Sequence, residues 1–423
     1  MSTIVEKILA AHTSKEKVEA EEIIEAEVDL VMLTEQLGRR IYREWAELSE
    51  VVDGVWDKTK IVSVLDHWVP APHIDAAEIH KTCREFVKKY DILHRLDMFS
   101  GICHQVMVEK FVKPGMLVVG SDSHTVTYGA LNAFSTGLGA TDIVICMATG
   151  QNWFKVPDSM KIILRGNLPP LVFGKDIILK LIADLGVEGA AYKSMEFSGP
   201  TVKELSIDSR LTISNMSVEA GAKCGIFPPD EKLMEYFRNP QQSSNGSLKF
   251  VFPDSNAKYC SELELDVNKL NPQVAKPHSP ENSVDVTEVE GTAINQGFIG
   301  SCTNGRMEDY RIAAKILKNR QTHPDVRLII TPASRDIYLQ CLNEGLMEIF
   351  TESGAMITNS TCGACIGGHL GILASNEVCI STSNRNFQSR MGHPDSKIYL
   401  ANAATVAASV IKGEITDPRK FMK

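Results

Sequence analysis

Cys302 stands in GSCTNGR, and Cys362 and Cys365 stand in TCGACIGGH after 59 intervening residues. Each segment follows a short apolar run, GFIG before Cys302 and AMIT before Cys362. For the three sulfurs to act together, the fold must set two strand ends side by side. Parallel strands joined by helical crossovers do this. The intervening sequence supplies such crossovers. EDYRIAAKILKN spaces Ile312, Ala313, Ile316 and Leu317 as a helix does, and VRLIITP reads as the next strand. SRDIYLQCLNEGLMEIFTESG reads as one helix, with Ser334 as its N-cap and Gly354 as its stop.

The pattern recurs along the chain. KIVSVLDHW ends in Asp66 and His67, GMLVVGSDSHT in Asp122, Ser123 and His124, and EVCISTSNRNF in Ser383, Asn384 and Arg385. With the two cysteine segments, five apolar strands end in chemically able residues. In open α/β sheets ligands bind at that edge, so five such ends predict a single cleft. The N-terminus reads as a short helix with Ile4, Val5, Ile8 and Leu9 on one face. Breaks near Val156-Pro157 and in NPQVAKPHSPENSV, residues 271–284, divide the 423 residues into three expected α/β domains, 1–157, 158–284 and 285–423. The second break reads as a surface linker, and NPQQSSNGS, residues 239–247, as a surface loop.

Composition narrows the partners. A formal net charge of −9 disfavours nucleic acid, which wants a basic face. No run approaches the ~18 apolar residues of a membrane span, and the first residues lack a secretory leader's apolar stretch. Ten cysteines in such a chain read as reduced thiols of a cytoplasmic protein rather than as disulfides. Cys146 and Cys341, in apolar helical patterns, read as core residues.

The cysteine trio has three readings at this level. Three thiolates can hold a cubane iron–sulfur cluster with one iron left open, and such an iron is a Lewis acid. Zinc would need a fourth ligand, for which His369 is near in sequence. Plain packing is the third. A four-cysteine electron-transfer cluster would draw on Cys379, the nearest further thiol. Gly363, Gly367 and Gly368 would let the backbone approach a bulky ligand closely.

Acid–base candidates surround the trio in sequence. His67 follows Asp66, His124 lies two residues after Asp122, and His104 sits in GICHQV. A carboxylate beside a histidine fixes its tautomer and favours its cation, which suits proton transfer near neutral pH. Ser123 lacks a GxSxG elbow and does not read as a hydrolase nucleophile. Arg385 and Arg390, with Asn384 and Asn386, form a donor cluster matched to carboxylates. Asn215 and Glu219, spaced i, i+4, would share one helical face.

GSDSHT, NMSVEAGAKCGIF, GSCTNGR, CGACIGGH and STSNRNF occur in this order, and in them the chain resembles the aconitase superfamily of iron–sulfur hydro-lyases over nearly its whole length. The match is to the large catalytic subunits. The resemblance implies three α/β/α domains around a [4Fe–4S] cluster held by Cys302, Cys362 and Cys365, with one labile, substrate-binding iron. It implies reversible dehydration of a hydroxy dicarboxylate. Asp66 and His67 would handle the substrate hydroxyl proton. Asp122, His124 and His104 would form the shell around that hydroxyl. Asn215 and Glu219 would make cluster-side and substrate-side polar contacts. Asn384, Arg385 and Arg390 would support the cluster and bind carboxylate, and Ser123 would contact the substrate. The family's base is a serine on a fourth, swivelling domain. None follows before Lys423, so a separate small subunit is expected to supply the serine and much of the specificity pocket. Where the family carries His or Gln followed by an acid, this chain has Thr34-Glu35, an exchange expected to bear on the substrate's side group.

Overall fold

Three largely parallel sheets organise the chain. The computed structural model describes residues 1–238 and 248–421, so the loop expected at 239–247 lies outside the described residues. The first sheet runs His94–Leu96, Ile61–Val64, Leu30–Thr34, Leu117–Gly120, Phe134–Gly137, all parallel. The second runs Cys224–Ile226, Ser194–Ser198, Ser159–Arg165, Ser261–Asp266, also all parallel. The third has seven strands, in the order Ser283–Asp285, Gln273–Ala275, Lys397–Leu400, Val378–Ser381, Gln296–Ile299, Arg327–Ile330, Met356–Ile357. The first two are antiparallel additions to an otherwise parallel sheet. Ile23–Glu27 and Gln151–Lys155 form a separate antiparallel pair.

Burial follows from these connections. Strands covered on both faces read as continuous apolar runs, and Ile61–Val64, Leu117–Gly120 and Gln296–Ile299 are buried at every position. Alternation along the first sheet splits its side chains between two cores. Val31, Leu33, Ile61 and Val119 face a core shared with the N-terminal helix Ile4–Ala11. Met32, Val62 and Val118 face a core continuous with Ile162 and Phe197 of the second sheet and Phe298 of the third. The three sheets thus share one apolar interior, which holds their strand ends in fixed relation.

Several expectations hold and others change. The first helix carries Ile4, Val5, Ile8 and Leu9 inward and begins with a Thr3–Glu6 capping box. Cys146 and Cys341 are buried in helices. Ser334 caps its helix through the N–H of Ile337 at 3.2 Å. That helix does not run on to Gly354: it stops at Asn343, and a second begins at Leu346. Gly345 between them has φ +72°, a left-handed turn that breaks the hydrogen-bond ladder. The stretch 271–284 is no linker, since it supplies strand Gln273–Ala275, fully buried, and the start of Ser283–Asp285. Its Pro and polar residues hid two three-residue strands too short to show a period. The segment holding Asn215 and Glu219 is an α-helix, Ile207–Met216, that tightens into a 3-10 turn at Ser217–Ala220. The two side chains still project to the same side, Asn215 toward Thr127 and Asn384 and Glu219 toward His124 and Arg385.

Candidate functional site

The five chemically able strand ends meet at one cavity of about 60 Å³. Cys302 follows strand Gln296–Ile299 after Ser301, whose φ of +77° turns the chain sharply away. Cys362 precedes a 3-10 turn at Gly363–Ile366, and Cys365 lies within it. All three thiols are buried and all three line the cavity. Asn215 Nδ2 lies 3.2 Å from Cys302 Sγ and Asn384 Nδ2 3.4 Å from the same sulfur. Arg390 Nη2 lies 3.9 Å from Cys365 Sγ. Burial and the Cys365 sulfur push the Cys302 thiol up to about 11. Cys365 goes the other way: the Cys362 hydrogen bond, with Arg390 and His124, holds it well below the usual thiol range despite burial.

Three cations surround these thiols without a carboxylate partner among the described residues. Arg306, fully buried, donates to Gln105 Oε1 at 2.8 Å and to the backbone carbonyls of Thr303 and Cys302, each at 2.6 Å. Lys175 donates to the carbonyls of Thr382 and Ser383. Arg390 has only the sulfur, and its buried Nε has no partner. Sulfur-directed amides and unpaired buried cations suit a bulky anionic group bound through thiolates. Neither Cys379 nor His369 lines the cavity. Cys379 stays inside strand Val378–Ser381 against Gln296, so the four-thiolate and zinc readings lose the fourth ligand each had in view.

The opposite wall carries the histidines. His67 Nδ1 lies 2.7 Å from Asp66 Oδ1, which leaves Nε2 free toward the cavity its ring lines. Burial alone would depress this imidazole, but Asp66 and Glu35 overcome it and raise it well above its ordinary value. Asp66 also ties the two walls together. Its Oδ2 accepts the Cys103 N–H at 2.6 Å, and its carbonyl accepts the Cys362 N–H at 3.0 Å and the Thr361 hydroxyl at 2.6 Å. Asp122 Oδ1 meets His104 Nε2 at 2.8 Å and the His124 N–H at 2.7 Å. Against the effect of burial, these two histidines hold the Asp122 carboxyl well below its usual range. His124 Nε2 reaches Glu219 at 2.9 Å, Arg385 Nε reaches the same carboxylate at 2.8 Å, and Arg385 Nη2 donates to Ser123 Oγ at 3.1 Å. His124 and Arg385 likewise lower Glu219 in spite of burial.

The cavity wall therefore takes His67, His104, Asp122 and His124 from one side and the cysteines, Asn384, Arg385 and Arg390 from the other. Asp66, Ser123, Asn215 and Glu219 stand one layer behind, bonded to wall residues or, for Asn215, to the Cys302 sulfur. Sequence reasoning missed Cys103 and Gln36, which also line the cavity. Cys103 was in view, being the residue before His104. It also missed the work of Glu35, which accepts the N–H groups of His67 at 2.6 Å, Trp68 at 3.0 Å and Asp66 at 3.2 Å. No local pattern announces a carboxylate that holds another strand's end. Packing of the chain itself requires two of the three glycines. A Cβ on Gly367 would lie 2.7 Å from the Arg390 carbonyl, and one on Gly368 would lie 2.9 Å from Trp68. They make room for the chain itself.

The aconitase family model, described as aconitate hydratase, matches residues 6–291 and 285–413. The chain belongs to this family of hydro-lyases, and membership implies an iron–sulfur cluster. Among its relatives is the 3-isopropylmalate dehydratase large subunit 1 of Methanopyrus kandleri, 48% identical over 99% of both chains. The 3-isopropylmalate dehydratase large subunit of Aquifex aeolicus is 49% identical over 100% of this chain and 98% of that one. Large subunit 2 from Archaeoglobus fulgidus is 47% identical over 99% of both. No helix among the described residues is long and apolar enough to cross a membrane.

Proposed function

We propose that this chain is the large subunit of a [4Fe–4S] hydro-lyase that dehydrates and rehydrates 3-isopropylmalate, the isomerisation step of leucine biosynthesis. The observation that carries the reading is the convergence of Cys302, Cys362 and Cys365 on a cavity whose other wall is a set of carboxylate-oriented histidines. The names of relatives 47–49% identical over their full length supply the substrate. Cys302, Cys362 and Cys365 would hold the cluster, and its open iron would supply Lewis-acid chemistry at the substrate hydroxyl.

The chain's own residues do the rest. His67 stays protonated through neutral pH because Asp66 and Glu35 favour its cation, and its free Nε2 can give a proton to a departing hydroxyl. Asp122 fixes the orientation of His104 and His124 on the cavity wall. Arg385, braced by Glu219, and Arg390 present guanidinium groups to the substrate carboxylates, which aligns the bonds for elimination. The carbon-bound proton is left to a serine on a separate small subunit. The relatives' designation as large subunits supports that partner.

The test is anaerobic coexpression with the cognate small subunit, followed by assays on 3-isopropylmalate, 2,3-dimethylmalate, homocitrate and citramalate. Alkene formation from 3-isopropylmalate with the highest kcat/KM is expected. Turnover of another of these acids alone would transfer the reading to that substrate. A pure complex holding zinc and no sulfide would sink it.

A further inference from the structure

Lys175 is the second residue of helix Gly174–Leu185 and is fully buried. Its Nζ donates to the carbonyls of Thr382 at 2.9 Å and Ser383 at 2.6 Å. These residues lead from strand Val378–Ser381 into Asn384, whose side chain faces the sulfurs of Cys302 and Cys365. The ammonium thus stands directly behind the cysteine wall.

The position is costly in two ways. A buried ammonium gives up its hydration, and two carbonyl dipoles return only part of it. It also occupies the first turn of a helix, where the macrodipole favours negative charge. No carboxylate pairs with it among the described residues. Its neighbour Asp176 is engaged elsewhere. Oδ1 accepts the Gln273 N–H at 2.8 Å, Oδ2 accepts the Phe173 N–H at 2.8 Å, and the Asn402 amide reaches both oxygens. Burial accordingly pulls the Lys175 ammonium down to about 7, against the attraction of Asp309, Cys365 and Cys302. A glutamine could bridge two carbonyls without a buried charge, and burial, with Glu308, pushes the Asp309 carboxyl up to about 7, so an ammonium here calls for a further anion nearby. Three thiolates outweigh the charge of an oxidised cubane core, so the loaded site would be that anion.

We infer that Lys175 is the buried counter-ion of the loaded cysteine site, a positioning residue that balances its charge from behind the Asn384 loop. The inference rests on the reading that these cysteines hold an iron–sulfur cluster. In a low-dielectric interior the attraction is strong and unscreened by salt. It favours retention of the cluster and its reduced form.

The test compares the wild-type chain with Lys175→Met and Lys175→Gln, each as apoprotein and after anaerobic reconstitution. Wild-type iron and sulfide content checks the underlying reading by itself, since absence of both would remove the cluster and not merely its counter-ion. With the cluster present, the rise in Tm on reconstitution is expected to shrink by about half or more in both variants while the apo Tm holds or rises. The midpoint of one-electron reduction, followed by EPR in a mediated titration, is expected to move to more negative potential. Variants that fold as apoprotein but fail to retain iron would support the inference equally. Equal loss of Tm in apo and loaded forms, with an unmoved potential, would overturn it: Lys175 would then only tie the loop. Failure of both variants to fold as apoprotein would overturn it too, because the ammonium would be needed before any cluster charge exists.

Discussion

The two walls of the cavity are built on opposite electrostatic plans. On the histidine wall the imidazoles meet carboxylates: His67 meets Asp66, His104 meets Asp122, His124 meets Glu219. Arg385, reaching across from the other side, also ends on Glu219. On the cysteine wall Arg306, Lys175 and Arg390 meet carbonyls or sulfur instead. The first wall is complete as folded and oriented for proton transfer. The second carries positive charge that an anionic group bound to the thiols would offset. Chemistry that needs fixed geometry is thus separated from a site whose charge is balanced on loading, and Asp66 joins them, with its carboxylate on one wall and its carbonyl on the other.

Substitutions on the two walls should therefore fail differently. The largest effect is expected from Cys365→Ser, which takes away one of three thiolates. Iron and sulfide should be lost on purification and alkene formation should fall to the uncatalysed level; full activity with bound iron would break the assignment of the cysteine wall. His67→Ala should lower kcat by about 10²–10⁴-fold, the usual worth of a positioned acid, with iron and sulfide content unchanged. Loss of iron from that variant would show that the walls are not separable.

Much of this contrast was legible in the sequence, because strand ends are short-range features. An apolar run that stops at Asp66-His67 or Ser301-Cys302 can be read residue by residue, and the parallel sheets then bring such ends together. Contacts made between strand ends far apart in sequence, or between sheets, were not legible. Glu35 holds the chain at 66–68 from the neighbouring strand's end, and Lys175 reaches Thr382 and Ser383 from another sheet's helix. Each is an ordinary charged residue in its own segment, and only tertiary packing gives it a partner. The same limit hid the short strands within 271–284.

A smaller effect should come from Asn215→Ala. Asn215 donates to Cys302 Sγ and to Thr127 Oγ1 at 2.8 Å, so it orients a ligand sulfur without entering the cavity. Outer partners of this kind are worth about 10–100-fold in metal affinity. The variant should lose iron to a chelator faster by about that factor while the freshly loaded enzyme keeps the wild-type pH profile. A shifted profile with firm iron would move Asn215 to the other wall.

The smallest and most specific effect is expected from Glu35→Gln. The glutamine keeps a carbonyl oxygen for the N–H of His67 and Trp68, so the loop should hold, but it removes one of two charges that favour the His67 cation. Burial opposes the Glu35 charge, yet His67 and the backbone N–H groups hold its carboxyl down to about 2. In the wild type a raised His67 keeps its proton as pH climbs through neutrality and loses it only as pH rises through the elevated value. Activity that needs this proton should then persist to alkaline pH. In the variant the alkaline limb should move toward neutrality by about one unit, with kcat near pH 6 and iron content little changed. Stability has the opposite sign. A depressed carboxyl stabilises the fold above its ordinary range and loses that contribution as pH falls toward about 2, so the variant's deficit in Tm should be largest near neutral pH and shrink in acid. An unmoved alkaline limb with a lowered Tm would reduce Glu35 to a loop anchor and leave Asp66 alone to set the charge of His67.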